Sequence, residues 1–340
     1  MILFFTSPIG LGHATRDIAI AEKLGSMQRK ILFVSGGVAN RLISNSHYRS
    51  LDLYVPPMFY VNIRGELHHS FRWLLCYLSY YKKCKLYASK VLNENFGLVV
   101  SDEDFASITI GEKMNRKRIL ITDITSTHFT NGIASIIEKK MNKNMRERIS
   151  KCDCVIIPEF GDDRNNILYV GPIVREVNKD RDTLRKEFGF NKKTIVVSIG
   201  GTDAGKYLIE KSLEAYQKLK KKLDIDLLLI MGPSVKLVSS TDYRTMGFID
   251  NLHEYIYSSD LVISLAGRST MDESMAYGIP GIFIPIKNHF EQEECAKRLG
   301  YKYEDIFRLE FLIEEKIGSG IQPLNAGGAK KAANIISKLS

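Results

Sequence analysis

Short apolar runs alternate with longer stretches of helical period along almost the whole chain. This alternation restricts the fold more than any other feature. Strands are expected at residues 2–6, 30–35, 51–55, 97–101, 118–122 and 154–158, with helical stretches at 13–25, 68–94, 104–114 and 132–150 between them. A second series has strands at 194–199, 226–231, 261–264 and 281–285 and helices over 204–222, 268–277, 289–299 and 308–317. A strand that follows a helical crossover runs parallel to its predecessor, and a parallel sheet needs cover on both faces. The expected fold class is α/β, with two Rossmann-like doubly wound parallel-sheet domains facing a central cleft.

The two series part in a polar stretch without period, residues 159–180, which contains Gly171-Pro172. The expected domains are therefore 1–172 and 173–324, with a last helix within 325–340 crossing back to the first domain. A length of 340 residues agrees with more than one core.

Composition excludes several classes. Apolar residues make up 44% and charged residues 26%, and no apolar run is long enough to span a membrane. The start, MILFFTSP, has no basic leader. Cys76, Cys84, Cys152, Cys154 and Cys295 form no CxxC pair, which reads as reduced thiols in a cytoplasmic protein. Cys152 and Cys154 alternate along a strand and make a poor metal site. The net charge of +9 is unevenly spread, since residues 1–172 hold 23 basic and 16 acidic side chains. A basic first half suits an anionic partner such as phosphate or acidic lipid, or is a lysine-rich solvated surface. It contains no recognisable nucleic-acid module.

Three strand-to-helix junctions can carry chemistry. The first is Gly10-Leu11-Gly12-His13. A dinucleotide fingerprint needs a third glycine at position 15 and an acid closing the second strand; the chain has Thr15 and ends that strand VSGG. A classical NAD or FAD site is disfavoured. His13 is then a candidate general base, or a structural histidine. The second junction, VVSIGGTDAGK, places Gly200, Gly201 and Thr202 before a helix, where free amides can hold a diphosphate. A P-loop is excluded by its spacing, and a tight turn explains it equally. The third is the long stretch 246–286, where a strand ends at Ala266-Gly267 and Ser269-Thr270 read as helix caps. Glu273, one turn in, can accept both hydroxyls of a ribose or simply complement the helix dipole.

The third stretch resembles the nucleotide-binding half of GT-B glycosyltransferases, most closely the MurG-like family that transfers N-acetylglucosamine from its UDP donor. The likeness rests on Phe248-Ile249-Asp250, Tyr255, Asp260, Gly267, Thr270, Glu273, Gly278, Pro280 and Pro285, followed by HFEQEECA. It implies that the backbone at Ile249, beside Phe248, reads uracil and that Glu273 holds the ribose. The family's glutamine pair in the donor loop aligns with Glu291 and Gln292. Gly200-Gly201-Thr202 looks like its phosphate loop, and GPIVRE resembles its inter-domain segment, which would bring Arg175 near the cleft. Gly10–His13, including Gly12, resembles its N-terminal glycine-rich loop. The chain departs in two ways: an arginine before the loop glycine is Leu265 here, with Arg268 just after it, and Glu291 replaces a glutamine.

The resemblance implies an inverting transfer of a sugar, N-acetylglucosamine in the family, from a UDP donor to an acceptor hydroxyl on a lipid-linked glycan. No cofactor or metal is implied; the UDP-sugar is a substrate. Asp102 and Asp104, at the end of the strand before 104–114, are further candidate bases, or helix-capping acids. Residues 67–92 hold the only Trp, four Tyr and five basic residues without an acid. They fit peripheral contact with the inner face of the cell membrane, or a core helix with a lysine-rich tip. A UDP-sugar 2-epimerase and a non-catalytic UDP-sugar-binding subunit of a membrane complex are the alternative functions.

Overall fold

The computed structural model describes the chain apart from residues 69, 94, 131, 133, 134, 201, 202 and 233–239 and the side chains of residues 70 and 203. It divides into two compact units. Unit 1 comprises residues 1–58, 69–175 and 326–340; unit 2 comprises 59–68 and 176–325.

Unit 1 is built on seven parallel strands, β1 (Ile2–Thr6), β2 (Ile31–Ser35), β3 (Ser50–Asp52), β4 (Leu98–Asp102), β5 (Lys117–Ile121), β6 (Cys154–Ile157) and β7 (Ile167–Tyr169). Their order is β3-β2-β1-β4-β5-β6-β7. Residues of β1 and β4 are buried from end to end. This is why they read as continuous apolar runs rather than alternating ones. The helices are α1 (Gly12–Ser26), α2 (Gly37–Asn45), α3 (Ser70–Val91), α4 (Phe105–Lys113) and α5 (Ser135–Lys151). The sequence reading did not anticipate α2, whose nine residues leave little room for a period. It also carried β3 on to residue 55, past its end at Asp52. There Gly36 is indispensable: a Cβ on it would stand 1.7 Å from the Tyr54 carbonyl oxygen.

Unit 2 contains α6 (Arg181–Phe188), β8 (Lys193–Ser198), α7 (Lys206–Leu219), β9 (Ile225–Ile230), β10 (Arg244–Met246), α8 (Leu252–Ser258), β11 (Leu261–Leu265), α9 (Arg268–Tyr277), β12 (Gly281–Ile284), α10 (Phe290–Arg298) and α11 (Leu309–Lys316). Its five strands are parallel in the order β10-β9-β8-β11-β12. The core gathers Ile195, Val197, Leu229, Ile263 and Ile282, each 1% exposed or less. Helix α6 was not foreseen, because Leu184 is its only buried residue. Arginines hold it instead: Arg181 and Arg185 both donate to the Asp260 carboxylate at 2.8 Å, which also accepts from the Thr194 amide. Asp260 thereby ties α6 to the start of β11.

The final helix, α12 (Gly328–Leu339), belongs to unit 1. It lays Ala329, Ala332, Ala333 and Ile336 into the core, packing against α1. Lys117 Nζ donates to the Leu339 carbonyl and Arg29 to Ser337, fastening its end. Two assignments differ from the sequence reading, which ended the first domain at 172, whereas unit 1 runs on to Arg175. That reading also put 59–68 with the N-terminal domain, whereas the segment folds with unit 2, hydrogen-bonded to Lys287 and Tyr303.

Candidate active site

In an open parallel sheet, ligands gather at the carboxyl ends of the strands, where the strand order reverses. In unit 1 the reversal lies between β1 and β4. Thr6 closes β1 and Asp102 closes β4, while Asp123 lies two residues beyond β5. Helix α1 begins after the turn at Gly10, whose φ of +86° is the left-handed region open to glycine. Gly12 and His13 are its first two residues.

This edge concentrates charge. His13 Nδ1 lies 2.9 Å from Asp102 Oδ1. Arg16, one helical turn on, donates to both oxygens of Asp102 at 2.5 Å and reaches Asp123 at 3.5 Å. Burial alone would raise the Asp102 carboxyl, but Arg16 and His13 outweigh it and hold it below the usual range. Burial would likewise weaken the Arg16 charge, yet Asp102 and Asp123 drive its pKa well upward. Asp17 shows the opposite outcome: burial, then the neighbouring Asp102, raises its carboxyl well above the ordinary range. Thr6 donates to Asp17 at 2.6 Å.

Two groups meet His13 Nδ1: the Asp102 carboxylate at 2.9 Å, which can accept an Nδ1–H, and the Arg16 guanidinium at 3.1 Å, which can only donate to a bare Nδ1. In the tautomer with its proton on Nδ1, the Nε2 lone pair is left to accept one. Glu103 Oε2 stands 3.9 Å from that Nε2. Glu103 has a left-handed φ of +52°, an uncommon conformation for a residue with a side chain. Thr122 and the Asp123 amide donate to it. The arrangement can therefore withdraw a proton from a hydroxyl at Nε2 and stabilise the resulting imidazolium with Asp102.

The structure thus joins His13 to Asp102, 89 residues apart in sequence. It gives Asp104 other partners. Asp104 caps α4 by accepting from the Ala106 amide at 3.0 Å and accepts from Tyr54 at 2.8 Å; burial raises its pKa. Sequence reasoning missed Arg16, although its position one turn after His13 puts both on one helix face. Arg175 is the last residue of unit 1 before the chain enters unit 2.

In unit 2 the order reverses between β8 and β11. Gly200 follows β8 with φ +69°; Gly201 and Thr202 lie outside the described residues. After β11, Gly267 is the N-cap of α9, without a side-chain cap. Ser269 and Thr270, expected as caps, are instead the second and third residues of the helix. Its exposed amides form a partial positive charge suited to an anion. Arg268 donates to Asp272 at 3.2 Å. Glu273 is buried at 3% exposure. Phe248 and Ile249 lie between β10 and α8, and Ile249 packs on the cluster of Phe190, Val196, Leu228 and Tyr255. Glu291 is in the first turn of α10, and the Gln292 Oε1 accepts from the Ile286 amide at 3.0 Å. Among the described residues no group of three His, Cys, Asp or Glu is placed to hold a metal, and no helix is long and apolar enough to cross a membrane.

Residues 194–338 match the family described as Glycosyltransferase family 28 C-terminal domain. A glycosyltransferase of Methanosarcina acetivorans is 27% identical, the match covering 87% of this chain and 82% of the relative. An N-acetylglucosamine transferase of Rickettsia bellii, which by its name takes UDP-N-acetylglucosamine and an undecaprenol pyrophosphate acceptor, is 31% identical over 39% of this chain and 44% of the relative. Among solved structures, the glycosyltransferase SnogD of Streptomyces nogalater covers 100% of this chain and 99% of its own at TM-score 0.62 and 16% identity. The Streptomyces glycosyltransferase SsfS6, complexed with thymidine diphosphate, covers 99% and 95% at TM-score 0.61 and 10% identity. The fold is GT-B, and the chain is a glycosyltransferase whose residues 194–338 are similar to the family 28 C-terminal domain.

Proposed function

We propose that this glycosyltransferase moves a sugar, N-acetylglucosamine, from its UDP donor to a hydroxyl of a lipid-linked glycan, with inversion. The observation that carries the reaction is the His13–Asp102 pair clamped by Arg16, an imidazole held against a buried carboxylate. His13 Nε2 takes the acceptor proton as the oxygen attacks the anomeric carbon, and the bond to the UDP oxygen breaks. The departing UDP gains charge, which the amides opening α9 and the turn at Gly200 stabilise. Ile249 serves uracil, Glu273 the ribose, and Glu291 and Gln292 the sugar. The choice of donor and acceptor is supported by the partial likeness to the Rickettsia bellii enzyme named above. Cytoplasmic placement is part of this reading and is supported by the free cysteines. No metal or cofactor is needed for a reaction run on these groups.

The acceptor's lipid part favours contact with a membrane face through α3. Trp73 takes no part in it: the ring is buried and packs on Phe129, with centroids 4.9 Å apart. The exposed members are Phe71, Leu75 and Leu86, with exposed Arg72, Lys82 and Lys83. Incubating the full chain with several UDP-sugars and a lipid-diphosphate sugar tests the whole reading. UDP release with an extended lipid is expected from UDP-N-acetylglucosamine. Isomerised donor without acceptor indicates an epimerase, and UDP binding without turnover a binding subunit; either result overturns the proposal.

A further inference from the structure

Residues 59–68 lie in sequence between β3 and α3 of unit 1, yet they fold as part of unit 2. They form a turn closed on itself. Val61 and Leu67 make an antiparallel bridge, and the Asn62 amide donates to the Glu66 carbonyl at 3.0 Å. The Asn62 side chain locks the interior. Its Oδ1 accepts from the Arg64 and Glu66 amides at 2.9 and 3.0 Å, and its nitrogen donates to Glu66 Oε2 at 2.8 Å. This turn contributes little apolar burial. Leu67 is tucked in, whereas Ile63 at the tip is 89% exposed.

Polar contacts fasten the turn to the loop after β12 and to Tyr303, and its tip lies against Ala204, beyond β8, at the carboxyl edge of the unit 2 sheet. On the loop after β12, the Leu67 amide donates to the Lys287 carbonyl at 2.8 Å and Lys287 Nζ donates to Glu66 Oε1 at 3.1 Å. Phe59 packs on His289 with ring centroids 5.3 Å apart. Tyr303 donates its hydroxyl to the Arg64 carbonyl at 2.7 Å. On the loop after β8, Gly65, with φ +72°, lies so close to Ala204 that a Cβ would stand 3.2 Å from its carbonyl oxygen. The turn after β8 borders the reversal of strand order, where a ligand of such a sheet binds, and the loop after β12 lies on the same carboxyl edge, one strand beyond β11.

We infer that residues 59–68 are a donor-positioning strap: they hold the loop after β12 against the turn at Ala204 and so set how the sugar of a nucleoside diphosphate sugar is seated. The inference rests on the donor reading given above. Helix α10 secures the loop from its other side, through Gln292 on the Ile286 amide at 3.0 Å and Glu293 on the Asn288 amide at 2.8 Å. The strap adds its own contacts to these. Asn62 and Glu66 are positioning residues; they act on the sugar through Lys287.

The test uses the full chain, with kinetics in UDP-sugar and a separate titration with UDP alone. Asn62→Ala and Glu66→Gln should each raise the KM for UDP-sugar about tenfold, the scale of one lost charge-assisted hydrogen bond, and leave the Kd for UDP within about twofold. Exchanging the charges, Glu66→Lys with Lys287→Glu, should recover part of the loss, which a damaged fold would not. An unchanged KM, or UDP affinity falling in parallel, overturns the strap alone. Failure of the unaltered protein to bind UDP overturns the donor reading and the strap with it.

Discussion

The carboxyl edges of the two sheets are built from different materials. In unit 1 the edge is made of side-chain charge: Asp102, Arg16 and Asp17 are buried and bonded to one another or to Thr6. In unit 2 the same place in the same topology offers glycines at 200 and 267 and the amide end of α9. A buried charge network fixes where a proton sits, because moving any member leaves another uncompensated. Amides at a helix start attract an anion without titrating and let its backbone come close. One edge is suited to proton transfer and the other to holding a diphosphate.

That division can be broken by experiment. The largest expected effect is on turnover. His13→Ala should lower kcat about 10²–10⁴-fold, the usual contribution of a general base, with UDP affinity changed less than about twofold. UDP binding lost together with kcat would show that the unit 1 edge also holds donor. Next comes stability. Arg16→Met leaves Asp102 buried beside a single histidine and should cost about 3–5 kcal/mol in urea unfolding, the penalty for breaking a buried ion pair. A loss below about 1 kcal/mol would mean that the charges of this edge are not interlocked.

The smallest effect lies in unit 2 and concerns acid. Burial pushes the His289 imidazole down to about 4. In the unfolded chain the ring takes a proton near pH 6.5, while the folded protein resists until about 4. The unfolded state therefore binds more protons in that window, and stability falls as pH drops from about 6.5 toward 4. At pH 5 the loss from this group is about 1–2 kcal/mol. His289→Gln should flatten this part of the pH–stability curve; an unchanged slope would assign the acid sensitivity to other groups.

The parts of this molecule that local pattern controls were legible in the sequence. β1, Ile2–Thr6, and α9, Arg268–Tyr277, fall where apolar runs and helical period put them. β1 is an unbroken apolar run, and α9 is long enough for a period to show, with Gly267 and Gly278 at its ends. α6 escaped notice because arginines bonded to Asp260, far along the chain, do the work that apolar burial does elsewhere. The caps of α9 were misplaced by two residues, since Gly267 starts the helix through backbone geometry alone.

The candidate site divides in the same way. Residue type and spacing alone singled out His13 and Asp102 as possible bases and the glycine turns as possible anion sites. Tertiary structure decided that His13 and Asp102 meet, because adjacent parallel strands bring together carboxyl ends that the sequence holds far apart. It decided that Arg16 holds Asp102 ionised while Asp104 is taken up by Tyr54 and a helix cap. It also decided that 59–68 folds with unit 2, since the hydrogen bonds to Lys287 and Tyr303 join residues more than two hundred positions apart. Periodicity reports which face of a segment is buried, whereas the partner of a buried charge is fixed only when the chain has closed around it.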